Sequence, residues 1–171
     1  RLIRDFKQGR LSTAIERYVV NIVSEIPLPP PGKYEIQYKG LDPLVRLRQS
    51  ASNELPQLGI TLAELFSSLN IDNALSLFVT VLLEHRVLLV SQRPNRLLKC
   101  AEGIINLLFP LKYKALYFPV LPVSLIDILY TPGPCIVGIL SKHLPLAKER
   151  SIRGMMIFNL DHNACEYWSP F

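Results

Sequence analysis

Apolar positions fall into two regimes along this chain. They are sparse and regularly spaced near the start, then dense from Thr61 onward. Ile15, Val19, Ile22, Val23 and Ile26 share one helical face. Thr13-x-x-Glu16 at its head has the form of a capping box, a hydroxyl and a carboxylate taking up backbone N–H groups of the first turn. The helix should stop before Pro27, and Pro29-Pro30-Pro31-Gly32, with few donors and stiff φ angles, reads as an extended connector. Tyr34, Ile36 and Tyr38 alternate with polar neighbours, which predicts a short strand. Residues 39–57, with Gly40, Asp42-Pro43 and Ser50 to Asn53, read as loop and as a boundary inside one domain.

In the dense region, Thr61-x-x-Glu64 is a second capping box, opening a short helix through Leu69. Asp72 is the expected N-cap of another helix, running to about Glu84. Its run Ala74-Leu75-x-Leu77-Phe78-x-x-Val81-Leu82-Leu83 is apolar nearly all round, which predicts a central helix. Val87 to Ser91 is a short apolar run rich in β-formers, expected as a strand buried on both faces. After a turn at Arg93-Pro94-Asn95, Leu97, Leu98, Ala101, Ile104, Ile105 and Leu108 form a helical stripe opposite Arg96, Lys99, Glu102 and Asn106. Leu116–Phe118 is a strand cut off by Pro119, Val123–Tyr130 a helix, and Thr131-Pro132-Gly133-Pro134 a type II turn. Cys135–Ile139 and Met155–Leu160 are the last strands. This alternation predicts an α/β fold, a mainly parallel sheet with right-handed crossovers and helices on both faces. Glu84-His85-Arg86, between helix and strand, reads as a tight corner, with the cationic side chains suiting the negative end of the helix dipole.

Composition narrows the classes. A chain of 171 residues, 49% hydrophobic, suits one domain with a substantial core. It opens on Arg1 without signal-peptide organisation and reads as a piece of a longer protein. No apolar run approaches a bilayer's thickness. The net charge of +5 comes from basic residues scattered between Arg1 and Arg153 without aromatic interleaving, so nucleic acid is not an expected partner. Cys100, Cys135 and Cys165 are far apart, which is cytosolic usage without a disulfide framework.

Searching for chemistry returns little. Ser91 ends a strand but is followed by Gln92, not by the glycine of a nucleophile elbow. His85, His143 and His162, with Asp127 or Asp161, are too commonplace to define a triad. His162-x-x-Cys165 has the spacing of half a zinc site, but Cys100 and Cys135 bring no neighbouring ligands. No Walker A or glycine-rich phosphate loop is present. No catalytic residue, metal or cofactor is therefore expected, and a protein-binding surface remains.

Residues 72–140 resemble the central module of DENN domains. The stretches that carry the resemblance are LLEHRVLLVSQRPNRLLKCAEGIINLLFPLKY and YFPVLPVSLIDILYTPGPCIVGI. Ile15-Glu16-Arg17-Tyr18 and the proline run resemble the segment preceding that module, and Asn159-Leu160-Asp161 is close to its Val-Asp-Leu-Asp strand end, with Asn in place of the first acid. The resemblance implies a guanine nucleotide exchange factor for a Rab-family small GTPase, which weakens nucleotide binding by gripping the empty GTPase and needs no covalent chemistry. It implies residues 1–31 as a helix and connector and 32–171 as the central module, without the longin-like lobe and the downstream helical module, so that this chain alone exchanges weakly. Localisation would be cytoplasmic, peripheral to vesicle or endosomal membranes when engaged with a Rab, with membrane association indirect or through other regions. A GTPase-activating subunit and a non-catalytic Rab-binding scaffold are the alternatives. The resemblance maps no contact residues. The physics of open sheets favours loops at strand ends, which nominates Arg93, Asn95 and Arg96, then Lys142 and His143, then Asp161.

Overall fold

A computed structural model describes residues 8, 14–32, 34–38, 45–51, 59–149 and 154–168. The Thr13 cap, the lead-in at 1–7 and most of the expected loop at 39–57 lie outside those residues. The chain divides into two compact units, residues 1–55 and 56–171.

In the first unit, α1 (Ile15–Val20) follows Ala14 and widens into a π-helical turn over Asn21–Glu25. It ends at Ile26, whose extended backbone (φ −78°, ψ 120°) is the conformation that a following proline imposes. Arg17 and Glu25 pair at 3.0 Å. β1 (Glu35–Tyr38) pairs antiparallel with β2 (Val45–Arg48). β2 corrects the loop expected there. Its Val-Arg-Leu-Arg alternation is genuine strand periodicity, too short to stand out between turn-forming residues.

The second unit runs α2 (Gly59–Ser68), α3 (Ile71–Leu82), β3 (Arg86–Ser91), α4 (Pro94–Leu107), β4 (Leu116–Phe118), β5 (Cys135–Leu140), α5 (Leu144–Glu149), β6 (Met155–Asn159) and β7 (Ala164–Trp168). Its sheet has the order β4-β5-β3-β6-β7. β4, β5, β3 and β6 are parallel, as an α/β fold requires, and β7 pairs antiparallel with β6. β7 was expected as terminal loop. Ala-Cys-Glu-Tyr-Trp is five residues with neither a β-branched run nor a clean alternation, too little to mark a strand by pattern alone.

β3 lies at the centre, and Val87, Leu88, Leu89 and Val90 are all fully buried. Burying each such side chain contributes roughly 1.5–3 kcal/mol relative to leaving it exposed. Alternate residues feed two apolar clusters. Val87 and Leu89 join Ile136, Phe158 and side chains of α2, α3 and α4, including Leu65, Leu77, Leu97 and Ile104. Leu88 and Val90 join Val137, Ile157, Leu129 and Ala147. On β5 a Cβ at Gly138 would stand 2.0 Å from the Pro119 carbonyl oxygen, so only glycine admits the segment whose Leu121 N–H donates to Gly138 O at 2.7 Å.

Several boundaries differ from expectation. Thr61 lies inside α2, which begins at Gly59, and Glu64 pairs elsewhere. The N-cap of α3 is Asn70, whose Oδ1 accepts from Asn73 N at 2.9 Å, with Asp72 in the first turn. The Val123–Tyr130 stretch is 3₁₀ in character with a break at Leu125. The corner at 84–86 is built from backbone. Glu84 sits at φ 56°, and the N–H groups of Glu84 and His85 donate to the carbonyls of Val81 and Thr80, both at 3.0 Å. That is the Schellman ending of a helix, with glutamate where glycine is usual. Arg86 opens β3, and its Nη2 donates to the Leu129 carbonyl.

α3 is not central. It buries Ala74, Leu77, Thr80 and Val81, while Ile71, Leu75, Val79, Leu82 and Leu83 are exposed.

Candidate functional site at the strand ends

Because β5, β3 and β6 run parallel, their C-terminal ends come to one edge of the sheet. Ser91 lies in register with Leu140, and Val90 with Asn159. Beyond β6 the ladder takes one more step, Leu160 N–H donating to Val90 O at 2.9 Å. Asn159 Oδ1 then accepts from the N–H groups of Asp161 (3.0 Å) and His162 (3.2 Å), turning the chain sharply. Asn thus does there what a carboxylate oxygen also does, so the missing acid leaves the turn intact.

That turn aims the Asp161 carboxylate back at β3. Oδ1 accepts from Ser91 Oγ at 2.8 Å and from Arg96 Nη1 at 2.7 Å, and Oδ2 accepts from Gln92 N at 2.6 Å. Ser91 Oγ also accepts from Arg93 N at 3.1 Å. Arg96, in the first turn of α4, donates through Nε to Glu64 Oε1 on α2 at 3.2 Å, and Lys99 Nζ reaches Glu64 Oε2 at 3.3 Å. Two carboxylates and two cations therefore join the ends of β3 and β6 to the starts of α4 and the body of α2.

The electrostatics follow from this geometry. The hydrogen bond from Arg96, more than burial opposes it, holds Glu64 below its ordinary carboxylate pKa. Burial is the largest single influence on Asp161 and pushes upward, but the Gln92 N–H, the Ser91 hydroxyl and Arg96 outweigh it and hold the group low. For Arg96, burial is likewise the largest influence and pulls down, and the bonds to Glu64 and Asp161 carry it above its usual value. Glu64, Asp161 and Arg96 are therefore charged at neutral pH.

A second tie holds the same loop. Asn163 sits at φ 50°, and its Oδ1 accepts from Asn70 N (2.9 Å) and Asn73 Nδ2 (3.0 Å) at the start of α3. The Asn163 carbonyl accepts from Asn73 Nδ2 at 2.9 Å.

Of the six nominated residues, the structure brings Arg96 and Asp161 into direct contact inside this network. Arg93 and Asn95 lie exposed at the head of α4, on the same edge. Lys142, exposed, and His143, half-buried, follow β5 in a 3₁₀ turn, and among the described residues no hydrogen bond links them to the Asp161 cluster. Sequence reasoning missed Ser91, Glu64, Lys99 and Asn163. Glu64 had been assigned to a capping box, and only the three-dimensional fold brings it to Arg96.

The arrangement fixes a surface; it does not activate a nucleophile. The Ser91 hydroxyl is buried and held by two partners, neither of them a histidine. The Cys100 thiol is buried and pushed up to about 11 by that burial, so it is protonated at neutral pH. Among the described residues no three His, Cys, Asp or Glu side chains gather as a metal cage, His162 and Cys165 included. Among the described residues no single helix is long and apolar enough to cross a membrane.

A family profile described as the DENN (AEX-3) domain matches residues 2–163. The chain is 31% identical over 159 residues to DENN domain-containing protein 2A of Mus musculus, covering 90% of this chain and 16% of that protein. It is 32% identical over 155 residues to DENN domain-containing protein 2B of Homo sapiens, covering 88% and 13%. To Elicitor of plant defense protein 1 of Verticillium dahliae it is 35% identical over 126 residues, covering 73% and 11%. The chain spans 16% or less of the length of each of these three relatives.

Proposed function

Since this chain belongs to the DENN (AEX-3) domain family, we propose that it is the central module of a guanine nucleotide exchange factor for a Rab-family small GTPase in membrane traffic. The module works in the cytoplasm, at the surface of vesicles or endosomes carrying its Rab. Its sheet, covered by helices on both faces, serves as a rigid platform. The observation that carries this reading is the Asp161 network, which ties the ends of β3 and β6 to the head of α4, where Arg93 and Asn95 lie exposed; Lys142 and His143, in the turn after β5, are the further proposed contacts.

Exchange requires that the factor bind the empty GTPase more tightly than the nucleotide-loaded one, and each ligand then weakens the other by the same factor. An edge that shifted on contact would lose that difference in ordering itself. In this reading Arg93 and Asn95 touch the GTPase, and Arg96 and Asp161 position them.

Release of fluorescent GDP across a panel of Rab proteins tests the proposal. Acceleration of one Rab is expected, weak with this chain and full with the whole protein. Arg93→Glu should slow association several-fold without lowering the melting temperature. Exchange untouched by both Arg93→Glu and Lys142→Glu would move the contact off this edge. One feature favours a second reading. Arg93 is exposed on a turn whose backbone N–H is fixed to Ser91, as an arginine supplied to a GTP-hydrolysis transition state must be. Faster GTP hydrolysis, with GDP release unchanged, would select it.

A further inference from the structure

The exposed side of α3 answers to none of the above. A helix apolar nearly all round is stable in water only when every side is covered. Here Ile71 is 75% exposed, Leu75 60% and Leu83 61%, and Phe66 on α2 adds another 51%. Beside them runs an apolar cleft of about 310 Å³ lined by Phe66, Ile71, Ala74, Leu75, Phe78 and Leu107. An exposed apolar tract of this continuity marks a contact surface.

Its two ends carry opposite charge. Asp72 stands exposed in the first turn of α3. At the other end, a second cleft is lined by Leu82, Glu84, Leu111, Lys112, Tyr113 and Lys114. Two lysines outweigh one glutamate there, and the buried Tyr113 hydroxyl has no hydrogen-bond partner among the described residues. Neither Asp72 nor either lysine forms an ion pair among the described residues. The stripe between them is uncharged.

We propose that a second copy of this chain covers this face, the two α3 helices packing antiparallel about a two-fold axis near Phe78 and Val79. A two-fold interface must be complementary to itself. An antiparallel pairing meets that demand, because it sets Leu75 of one copy against Leu82 of the other. The distance from Asp72 to Leu82 along α3 is ~15 Å at 1.5 Å per residue. Each Asp72 therefore reaches the lysine-rich end of the other copy, and the contact is made twice. A parallel pairing would bring like charges together at both ends.

Sedimentation equilibrium of the 171-residue chain tests this, with exchange activity playing no part. A concentration-dependent dimer is expected. Leu75→Glu, a change at an exposed position, should weaken it roughly ten-fold or more while leaving the circular dichroism melt in place. Asp72→Lys should weaken it, and combining Asp72→Lys with Lys112→Glu and Lys114→Glu should restore it. A chain that stays monomeric at every concentration overturns the proposal, and if such a chain floats with phospholipid vesicles the face belongs to a membrane surface instead. A dimer indifferent to Leu75→Glu, or one that the triple variant does not restore, overturns it as well.

Discussion

The two ends of β3 are built on different principles. At its start, Glu84-His85-Arg86 looks in sequence like a site, with an acid, an imidazole and a guanidinium in a row. Yet the corner is held by main-chain hydrogen bonds from Glu84 and His85 to Val81 and Thr80. At its end, Ser91-Gln92-Arg93 looks plainer, but there the fold depends on side chains, with Asp161 accepting from Ser91, Gln92 and Arg96 at once. A cluster of polar residues adjacent in sequence is thus a poor sign of a network. Residues far apart in the chain, brought to one strand end by parallel topology, are a better one.

The contrast predicts opposite responses to substitution. Asp161→Ala should have the largest effect, a loss of about 3 kcal/mol, since it strips a half-buried cation of one of its two carboxylate partners and a buried hydroxyl of its acceptor. Chemical denaturation measures this directly, and a loss under about 1 kcal/mol would show that the edge does not depend on its side-chain network. A smaller effect follows from acidity. Asp161 and Glu64 are held below their ordinary pKa values in the folded chain, so in acid the unfolded chain binds more protons. Their contribution is whole above about pH 4 and is lost as pH falls through the lower folded values. The gap in melting temperature between the wild type and Asp161→Asn should therefore stay level from neutral pH down to the ordinary carboxylate range and narrow only below about pH 4, and a gap that stays constant through that acid range would contradict the ionic origin of the hub. The smallest effect has the opposite sign. Glu84→Gly relieves a left-handed backbone at φ 56° and should stabilise by about 0.5–1 kcal/mol after the added flexibility of the unfolded chain is counted. A loss on this substitution would mean that the Glu84 side chain, and not only its backbone, holds the corner.

Much of the second unit was legible from its apolar runs. Val87 to Val90 read as a doubly buried strand because the run is short and bounded by polar residues, and Leu97 to Leu108 as an amphipathic helix because its apolar positions keep the helical period. Short strands without a continuous apolar run were not legible. Val45–Arg48 and Ala164–Trp168 owe their form to pairing with a neighbour, β1 in one case and β6 in the other. The all-round apolar character of α3 was read as burial within this unit, whereas one side of the helix is open. Composition records every surface that a helix is built to bury, without saying which molecule buries it. At the strand ends, topology nominated Asp161 and Arg96 separately. Their contact spans 65 residues of sequence, a separation at which spacing carries no information.

The strand order has one more consequence, for the order of events on the ribosome. β3 is made before both of its neighbours, β5 and β6, yet lies between them. At usual rates of translation its two open sides wait on the order of seconds for partners, with Val-Leu-Leu-Val unprotected. Slowing elongation between codons 92 and 155 should therefore lower soluble yield, while slowing it before codon 84 should do little.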